Sequence, residues 1–187
     1  MIKREIRGDS LFVVEEFMEV AECMQWIEAA EKTGFSDAPI TTSLGPLMRK
    51  DVRNNTRIMY DSPALAEQLY ERAKPFLIAT WYGRSLIGFN ERFRFYKYTP
   101  GQRFAPHYDG RFERENGERS EFTFLIYLNS SYVGGNTRFY EPERVDIEPV
   151  TGTALVFRHS QLHEGTVIEQ GTKYVLRTDV MYGECPP

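Results

Sequence analysis

Two amphipathic stretches in the first half of the chain predict helices. From about residue 18 to Thr33, apolar side chains recur at three- and four-residue steps, and Gly34 then supplies a helix stop. The recurring residues are Val20, Cys23, Met24, Ile27 and Ala30. A second helix is predicted to begin at Ser62-Pro63, because serine caps helix N-termini and proline suits the first turn. Its apolar face is Leu65, Leu69 and Ala73, and we expect it to end or kink near Pro75.

The pattern is different in the segment between these helices and in the second half of the chain. Residues 36 to 61 hold Pro39, Gly45 and Pro46, and we expect this segment to be irregular. Beyond about residue 88 the apolar pattern takes a period of two, with Gly, Pro and Asn clusters between the runs. The predicted strands are Arg92–Tyr98, Phe122–Leu128, Thr153–Phe157 and Tyr174–Tyr182.

This order of elements predicts a mainly β protein with flanking N-terminal helices, in the α+β class. We expect one domain over residues 1–187, in which residues 1–87 are a helical support with a loop and residues 88–183 form the β-rich core. The expected architecture is a β-sandwich or barrel with helices packed outside it.

Composition and charge narrow the functional classes. The chain has 187 residues, of which 41% are hydrophobic and 27% charged, the profile of a soluble globular protein. Its net charge of -4 argues against nucleic acid as a partner, since such proteins present a basic surface. Cys23 and Cys185 form no motif, and we expect two reduced thiols. Met1–Glu5 leads into mixed charge, so we expect no signal peptide, no membrane span and a cytoplasmic location.

The histidines supply a candidate metal site. In His107-Tyr108-Asp109, an imidazole and a carboxylate two residues apart would point to one face of a strand. His163 lies 54 positions further on, after the apolar run Ala154–Phe157. Two histidines and one carboxylate are the ligand set of iron(II) oxygenases, which keep coordination positions open for a co-substrate and oxygen. His159 lacks the Glu-Gly that follows His163, and we interpret it as a side chain at a strand end.

The last predicted strand adds two cations. Alternation places Lys173, Val175 and Arg177 on one face, and Lys173 follows His163 by ten residues. Two inward cations need an anion to compensate them. The distal carboxylate of 2-oxoglutarate would do so through charge-assisted hydrogen bonds.

Together these motifs resemble the prolyl 4-hydroxylase-like branch of the 2-oxoglutarate and Fe(II)-dependent dioxygenases, over about residues 89 to 182. The matching segments, in order, are Tyr98–Gln102, His107–Asp109, Leu125–Asn129, Gly134–Phe139, Pro149–Gly152, His163–Gly165 and Gly171–Tyr174. The resemblance implies a double-stranded β-helix, the jelly-roll fold of the cupins. It implies hydroxylation of a C–H bond, coupled to decarboxylation of 2-oxoglutarate to succinate and CO2.

The resemblance also implies roles for individual residues. His107, Asp109 and His163 would bind Fe(II), and Lys173 would clamp the distal carboxylate of 2-oxoglutarate. Tyr127 would help to hold that carboxylate and Tyr98 would line the pocket, as would Thr123, which shares a face with Tyr127. Arg177 departs from the commonest pattern and is a second candidate for the clamp. The implied cofactors are Fe(II), 2-oxoglutarate and O2, with ascorbate as a candidate reductant.

Three functions remain open at this stage. The first is hydroxylation of a peptidyl residue, prolyl by resemblance, and the second is the same chemistry on a small amino-acid-like metabolite. The third is a jelly-roll module that binds a metal or ligand without turnover. The candidate substrate residues are Arg49, Arg53, Arg57 and Arg94; the alternative is a solvated basic loop. The sequence leaves the substrate and the oligomeric state open.

Overall fold

The computed structural model describes residues 1–42 and 45–184. The helices are α1 (Val20–Thr33), α2 (Pro63–Ala73) and a 3-10 turn (Lys74–Phe76). The strands, in chain order, are β1 (Ile2–Glu5), β2 (Leu11–Glu15), β3 (Ser36–Asp37), β4 (Ile40–Thr42), β5 (Gly45–Leu47), β6 (Thr56–Asp61), β7 (Thr80–Trp81), β8 (Arg84–Phe89), β9 (Arg92–Tyr98), β10 (Phe104–His107), β11 (Arg119–Tyr127), β12 (Val133–Gly134), β13 (Thr137–Phe139), β14 (Val145–Ile147), β15 (Ala154–Arg158), β16 (His163–Gly165), β17 (Ile168–Gln170) and β18 (Lys173–Glu184).

Two antiparallel sheets form the double-stranded β-helix that the sequence predicts. In the described part of the chain, the larger sheet has the order β1-β2-β15-β11-β18-β9-β6-β3, with β8 also paired to β18 and β7 to β8. The smaller sheet has the order β10-β16-β13-β14. Side chains of both sheets, such as Val175 and Phe139, share one buried cluster. The core of the jelly-roll therefore lies between the sheets.

Strand β9 shows how alternation divides the two faces of the larger sheet. Phe93 and Phe95 point to the cluster that contains the helices. Tyr96 and Tyr98 point to the opposite cluster, between the sheets. An alternating aromatic strand is thus buried on both faces, with α1 and α2 covering one face and the smaller sheet the other.

Both predicted helices are present, but the buried face of the first differs from the predicted one. The hydroxyl of Ser62 accepts a hydrogen bond from Leu65 N at 3.2 Å, and Pro63 opens α2. Helix α1 ends at Thr33, as predicted, with Gly34 at φ 85°. Val20 and Met24 are more than half exposed, which contradicts their predicted place in the apolar stripe.

A larger side chain explains that correction. The Trp26 ring packs 5.7 Å from the Phe95 ring, centroid to centroid, and so turns α1 toward the sheet along Trp26, Ile27 and Ala30. An aromatic side chain buries more apolar area than Val or Met, and the helix orientation follows it.

The N-terminal half contains more strand than the sequence indicates. Residues 36 to 61 are not uniformly irregular, because β6 pairs with β9 over Thr56–Asp61. Strands β1 and β2 extend the other end of the larger sheet, with β2 paired to β15. Leu11–Val14 is buried throughout, so it lacks the alternation that marks a half-exposed strand. The helical support predicted for residues 1–87 therefore also supplies sheet edges.

Two predictions concern membrane-spanning helices and the state of the cysteines. Neither helix in the described segments has the length and apolarity needed to cross a bilayer. Cys23 is a buried free thiol. Cys185 lies outside the described residues.

Candidate active site

The smaller sheet brings the two predicted histidine ligands side by side. His107 ends β10, His163 begins β16, and the two residues are directly paired across these antiparallel strands. Asp109 follows β10 rather than lying within it, and its N–H donates to the carbonyl of His159 at 3.2 Å. The Asp109 carboxylate oxygens lie 3.7 Å from His107 Nε2 and 3.8 Å from His163 Nε2. One ligand atom from each of the three residues lies within 4.8 Å of the others.

Backbone contacts orient both imidazoles in the way a metal site requires. Nδ1 of His107 lies 2.8 Å from the carbonyl of Ala105, and Nδ1 of His163 lies 2.9 Å from that of Gln161. A carbonyl only accepts, so each Nδ1 carries the proton and each Nε2 keeps its lone pair. The lone pairs face the carboxylate, an arrangement typical of histidine metal ligands. These three residues fit a divalent metal such as iron.

The electrostatics favour the deprotonated form of all three groups. Burial lowers the pKa of His107 to about 3 and also lowers the pKa of His163. Burial alone would raise the pKa of Asp109, but the nearby Arg177 guanidinium and the histidines hold it well below its usual range. A metal would therefore meet two neutral imidazoles and one carboxylate at neutral pH, with no proton to displace.

Two side chains of the larger sheet hold the Asp109 carboxylate. The hydroxyl of Thr123 donates to Asp109 Oδ2 at 2.5 Å, and Arg177 Nη2 lies 3.1 Å from the same oxygen. Arg177 also pairs with Asp179 at 3.2 Å. Although burial opposes its charge, the two carboxylates raise the pKa of Arg177. Arg177 is therefore an ion-pair partner of the triad.

A narrow cavity runs from the triad into the jelly-roll and has Lys173 among its walls. Tyr98, Thr123, Lys173 and Arg177 all line it, as the sequence predicts for a co-substrate pocket. Lys173 is 4% exposed, and its Nζ donates to the carbonyl of Gly135 at 2.6 Å. Within the described residues it has no acidic partner, and burial lowers its pKa to about 7. A buried ammonium paired only with a carbonyl is poorly compensated and suits an incoming carboxylate.

Tyr127 lies behind the wall of that cavity, next to Thr137. Its ring is fully buried, and its hydroxyl is hydrogen-bonded to Thr137 Oγ1 at 2.7 Å. Thr137, and not Tyr127, is among the residues that line the cavity. Tyr127 reaches Lys173 instead through its ring, whose centroid lies 5.3 Å from Nζ. Thr137 belongs to the Gly134–Phe139 motif, so its place in that motif could have identified it as a lining residue from the sequence.

The candidate substrate arginines divide into two groups. Arg53, Arg57 and Arg94 line a second cavity of about 480 Å³, which also reaches His107 and Asp109. Arg49 does not line it. Its guanidinium is half exposed and forms a bidentate pair with Asp51 at 2.7 to 2.9 Å. An acid two residues away, Asp51, thus satisfies the charge of Arg49 within the loop, outside this cavity.

The sequence gives no indication of two further neighbours of the triad. The Phe104 ring is stacked on the His107 imidazole, with centroids 3.5 Å apart and an angle of 17° between the planes. His159, interpreted as a strand-end side chain, is buried and lies within hydrogen-bond distance of Thr123 Oγ1 and Ser120 Oγ. It stands behind Thr123 and is not one of the three clustered metal-ligand residues.

Comparison with known proteins gives the class. Residues 93–178 match the family model of the 2OG-Fe(II) oxygenase superfamily. This segment includes Asp109, the paired histidines and Lys173. The chain therefore contains a segment that matches the 2-oxoglutarate-dependent oxygenases, a class whose cofactors are Fe(II), 2-oxoglutarate and O2. No curated protein is significantly similar to the chain in sequence.

Solved structures of prolyl hydroxylases share the fold. The 2-oxoglutarate complex of viral collagen prolyl hydroxylase from Paramecium Bursaria Chlorella virus-1 is 22% identical, with a TM-score of 0.70, covering 93% of this chain and 97% of that chain. A Trichoplax adhaerens prolyl hydroxylase in complex with a hypoxia inducible factor peptide is 16% identical, with a TM-score of 0.72, covering 94% and 84%. A Pseudomonas putida prolyl-4-hydroxylase is 18% identical, with a TM-score of 0.66, covering 96% and 95%. The fold of this chain is therefore that of the prolyl hydroxylases.

Proposed function

We propose that this chain hydroxylates a C–H bond, with Fe(II) held by His107, Asp109 and His163 and 2-oxoglutarate anchored by Lys173. When bound, iron and 2-oxoglutarate would supply the activation of O2, with decarboxylation of 2-oxoglutarate to succinate and CO2 coupled to transfer of one oxygen atom to the substrate. The remaining coordination positions of a metal with three protein ligands would serve the co-substrate and oxygen.

One observation carries this proposal: the three-ligand cluster and the uncompensated Lys173 line the same cavity. A metal site alone would be compatible with a binding module. A buried cation in the wall of that cavity calls in addition for an anionic ligand that reaches the metal. A dicarboxylate with a 2-oxo group meets both requirements, because one end chelates the metal and the other pairs with the ammonium.

The anchoring role goes to Lys173 because the two cations of β18 differ in their partners. Arg177 already pairs with Asp109 and Asp179. Among the described residues, the one hydrogen-bond partner of Lys173 is the carbonyl of Gly135. Tyr98 and Thr137 line the same cavity, and the hydroxyl of Tyr127 is hydrogen-bonded to Thr137.

The proposed substrate is a peptidyl residue, prolyl by resemblance, or a small amino-acid-like metabolite. The peptide complex of the Trichoplax prolyl hydroxylase, which shares the fold, supports the first. The cavity of about 480 Å³ next to the triad supports either, since small-molecule sites span about 300 to 1,000 Å³. Ascorbate as reductant, residues 1–187 as one domain, and a cytoplasmic location stay predictions.

The test is oxygen-dependent conversion of 2-oxoglutarate to succinate, followed by mass spectrometry with prolyl peptides and free amino acids as substrates. The proposal predicts that an active substrate gains 16 mass units in step with succinate formation. His163→Ala should abolish both products. If the iron-loaded chain binds 2-oxoglutarate but never forms succinate, the proposal fails and the binding module is favoured.

A further inference from the structure

The cavity in front of the triad is unusually rich in arginine. Five guanidinium groups line it, from Arg53, Arg57, Arg94, Arg111 and Arg177. Among the lining residues that the structure describes, the single carboxylate is Asp109, which the proposed function assigns to iron. The wall of the substrate space is therefore strongly positive, although the chain as a whole has a net charge of -4.

Strand register explains why these charges converge. Arg57 of β6 lies opposite Tyr96 of β9, and Arg94 of β9 lies opposite Arg177 of β18. Residues opposite one another across a sheet share a face, and alternation along β9 keeps Arg94 and Tyr96 on that face. Three neighbouring strands thus present cations to the same side of the larger sheet, the side that faces the triad.

Three of the five arginines have acidic partners at 3.1 Å. Arg94 pairs with Asp179, Arg111 with Glu121, and Arg177 with Asp109. The charges of these three arginines are compensated by carboxylates of the protein itself, although Arg177 Nε is buried without a hydrogen-bond partner among the described residues.

Arg53 and Arg57 are not compensated in this way. Within the described residues neither has an ion-pair partner within 4 Å. Arg53 is 5% exposed, its Nε donates to Asn55 at 2.7 Å, and its Nη2 is buried with no hydrogen-bond partner in the part of the chain that the structure describes. Its guanidinium lies between the rings of Tyr96 and Phe104, at 4.5 Å and 4.4 Å from their centroids. A buried donor left without an acceptor is unfavourable, so an acceptor from a ligand is favoured.

The pKa of Tyr96 reflects the positive electrostatic potential that these arginines create. Burial alone would raise the pKa of this phenol, but the charges of Arg53, Arg177 and Arg94 outweigh burial and lower it to about 8. A group that loses a proton more easily in spite of burial lies in a strongly positive potential. The same potential would attract any anion that enters the cavity.

We propose that the substrate carries a carboxylate, which binds to Arg53 and Arg57 while the carbon to be hydroxylated lies toward His107 and Asp109. This inference rests on the function proposed above and names its substrate class. The planar guanidinium of arginine matches the two oxygens of a carboxylate, and burial between two rings holds Arg53 in place for that contact. The carboxylate has two sources, the free end of an amino acid or peptide and an acidic side chain.

The test measures binding of matched acid and amide probes by calorimetry, without oxygen, to the chain loaded with Fe(II) and 2-oxoglutarate. N-acetyl amino acids, beginning with N-acetyl-proline, are compared with their carboxamides to examine a terminal carboxylate. N-acetyl aspartate and glutamate amides are compared with the asparagine and glutamine equivalents to examine a side-chain carboxylate. Saturating 2-oxoglutarate keeps the probes out of the Lys173 site.

The proposal predicts that in at least one pair the acid binds about tenfold or more tightly than the amide, the loss expected for a charge-assisted contact. Arg57→Gln and Arg53→Lys should reduce that preference to about twofold or less, since one loses the charge and the other the planar fork. Arg49→Gln is the matched control from the same loop, with its arginine exposed and paired to Asp51, and it should keep the full preference.

Equal binding of acid and amide in every pair, or no binding of any probe, would overturn the proposal. So would a preference that survives in both Arg57→Gln and Arg53→Lys. Failure of the proposed function itself has a separate signature, because the chain would then not bind 2-oxoglutarate in the presence of iron. Circular dichroism of each variant shows whether the fold is intact, and Arg57, which is only partly buried, is the safer position if Arg53→Lys does not fold.

Discussion

Arg177 lies 3.1 Å from Asp109, so the second cation of strand β18 is a partner of a proposed iron ligand. Lys173, four residues earlier on the same strand, has no such partner among the described residues and donates to the carbonyl of Gly135. Both side chains line one cavity, yet their electrostatic surroundings differ. This difference underlies the proposed division of roles, in which Arg177 would position Asp109 and Lys173 would receive the co-substrate.

The division of roles predicts that substitutions of the two cations weaken the binding of different ligands. Lys173→Met should weaken 2-oxoglutarate binding by about 2 kcal/mol and leave Fe(II) affinity nearly unchanged, because a desolvated charge pair is lost. Arg177→Met should weaken Fe(II) binding about tenfold or more, as loss of a group that orients a metal ligand commonly does. Anaerobic titrations with metal and with 2-oxoglutarate measure the two constants. A large effect of Arg177→Met on 2-oxoglutarate, with none from Lys173→Met, would reverse the assignment.

The pKa of Lys173 predicts a pH dependence of co-substrate binding. Burial lowers this pKa to about 7, and a bound carboxylate would raise it again. Below pH 7 the ammonium is already charged, so affinity is at its maximum. Above pH 7 binding must take up a proton, and affinity should fall by up to about tenfold per pH unit.

The measurement is the dissociation constant of 2-oxoglutarate from pH 6 to 9, with metal saturation checked at each pH. Lys173→Arg is the control, because arginine keeps its charge throughout this range and should flatten the profile. A flat profile for the unsubstituted chain would show that Lys173 stays charged, which contradicts its assignment as an uncompensated buried cation.

Gly152 should be sensitive to a single added methyl group. It has φ +79°, and a Cβ at this position would lie 2.0 Å from the backbone oxygen of Met18. Gly117 has φ +82° but open space around it. Both alanine variants incur the cost of about 1 to 2 kcal/mol for left-handed backbone. Gly152→Ala adds a backbone clash worth about 1 to 3 kcal/mol more, and denaturant unfolding measures the difference. Equal losses at the two positions would show that Met18 can move aside.

The sequence predicts the elements that follow a regular pattern. The bounds of β9 match the predicted strand Arg92–Tyr98 because its aromatic residues alternate between two buried faces. Helix α2 begins at Pro63 because Ser62 caps it locally. Strand β2 was missed because Leu11–Val14 is apolar without alternation, and β6 because its neighbours in sequence are turn residues. Their strand character comes from pairing with distant residues, which no local pattern contains.

In the candidate site, too, local sequence patterns predict some features, whereas others depend on contacts between distant residues. The His-x-Asp spacing together with the family resemblance led to His107, Asp109 and His163, and the structure brings them together because β10 pairs with β16. The ring of Phe104 on His107 and the contact of Tyr127 with Thr137 depend on side-chain packing across separate strands. Arg49 and Arg53 look equivalent in the sequence, but one pairs with a neighbouring acid and the other is buried between two rings. Such burial depends on the packing of residues that are distant in sequence.

The most direct test of the proposed iron and 2-oxoglutarate site is anaerobic visible absorption of the chain with Fe(II), before and after addition of 2-oxoglutarate. The account predicts a new charge-transfer band that is absent in His107→Ala and needs a higher concentration of 2-oxoglutarate in Lys173→Met. No band in the unsubstituted chain, with iron and co-substrate both present at saturating concentration, would contradict the proposed site.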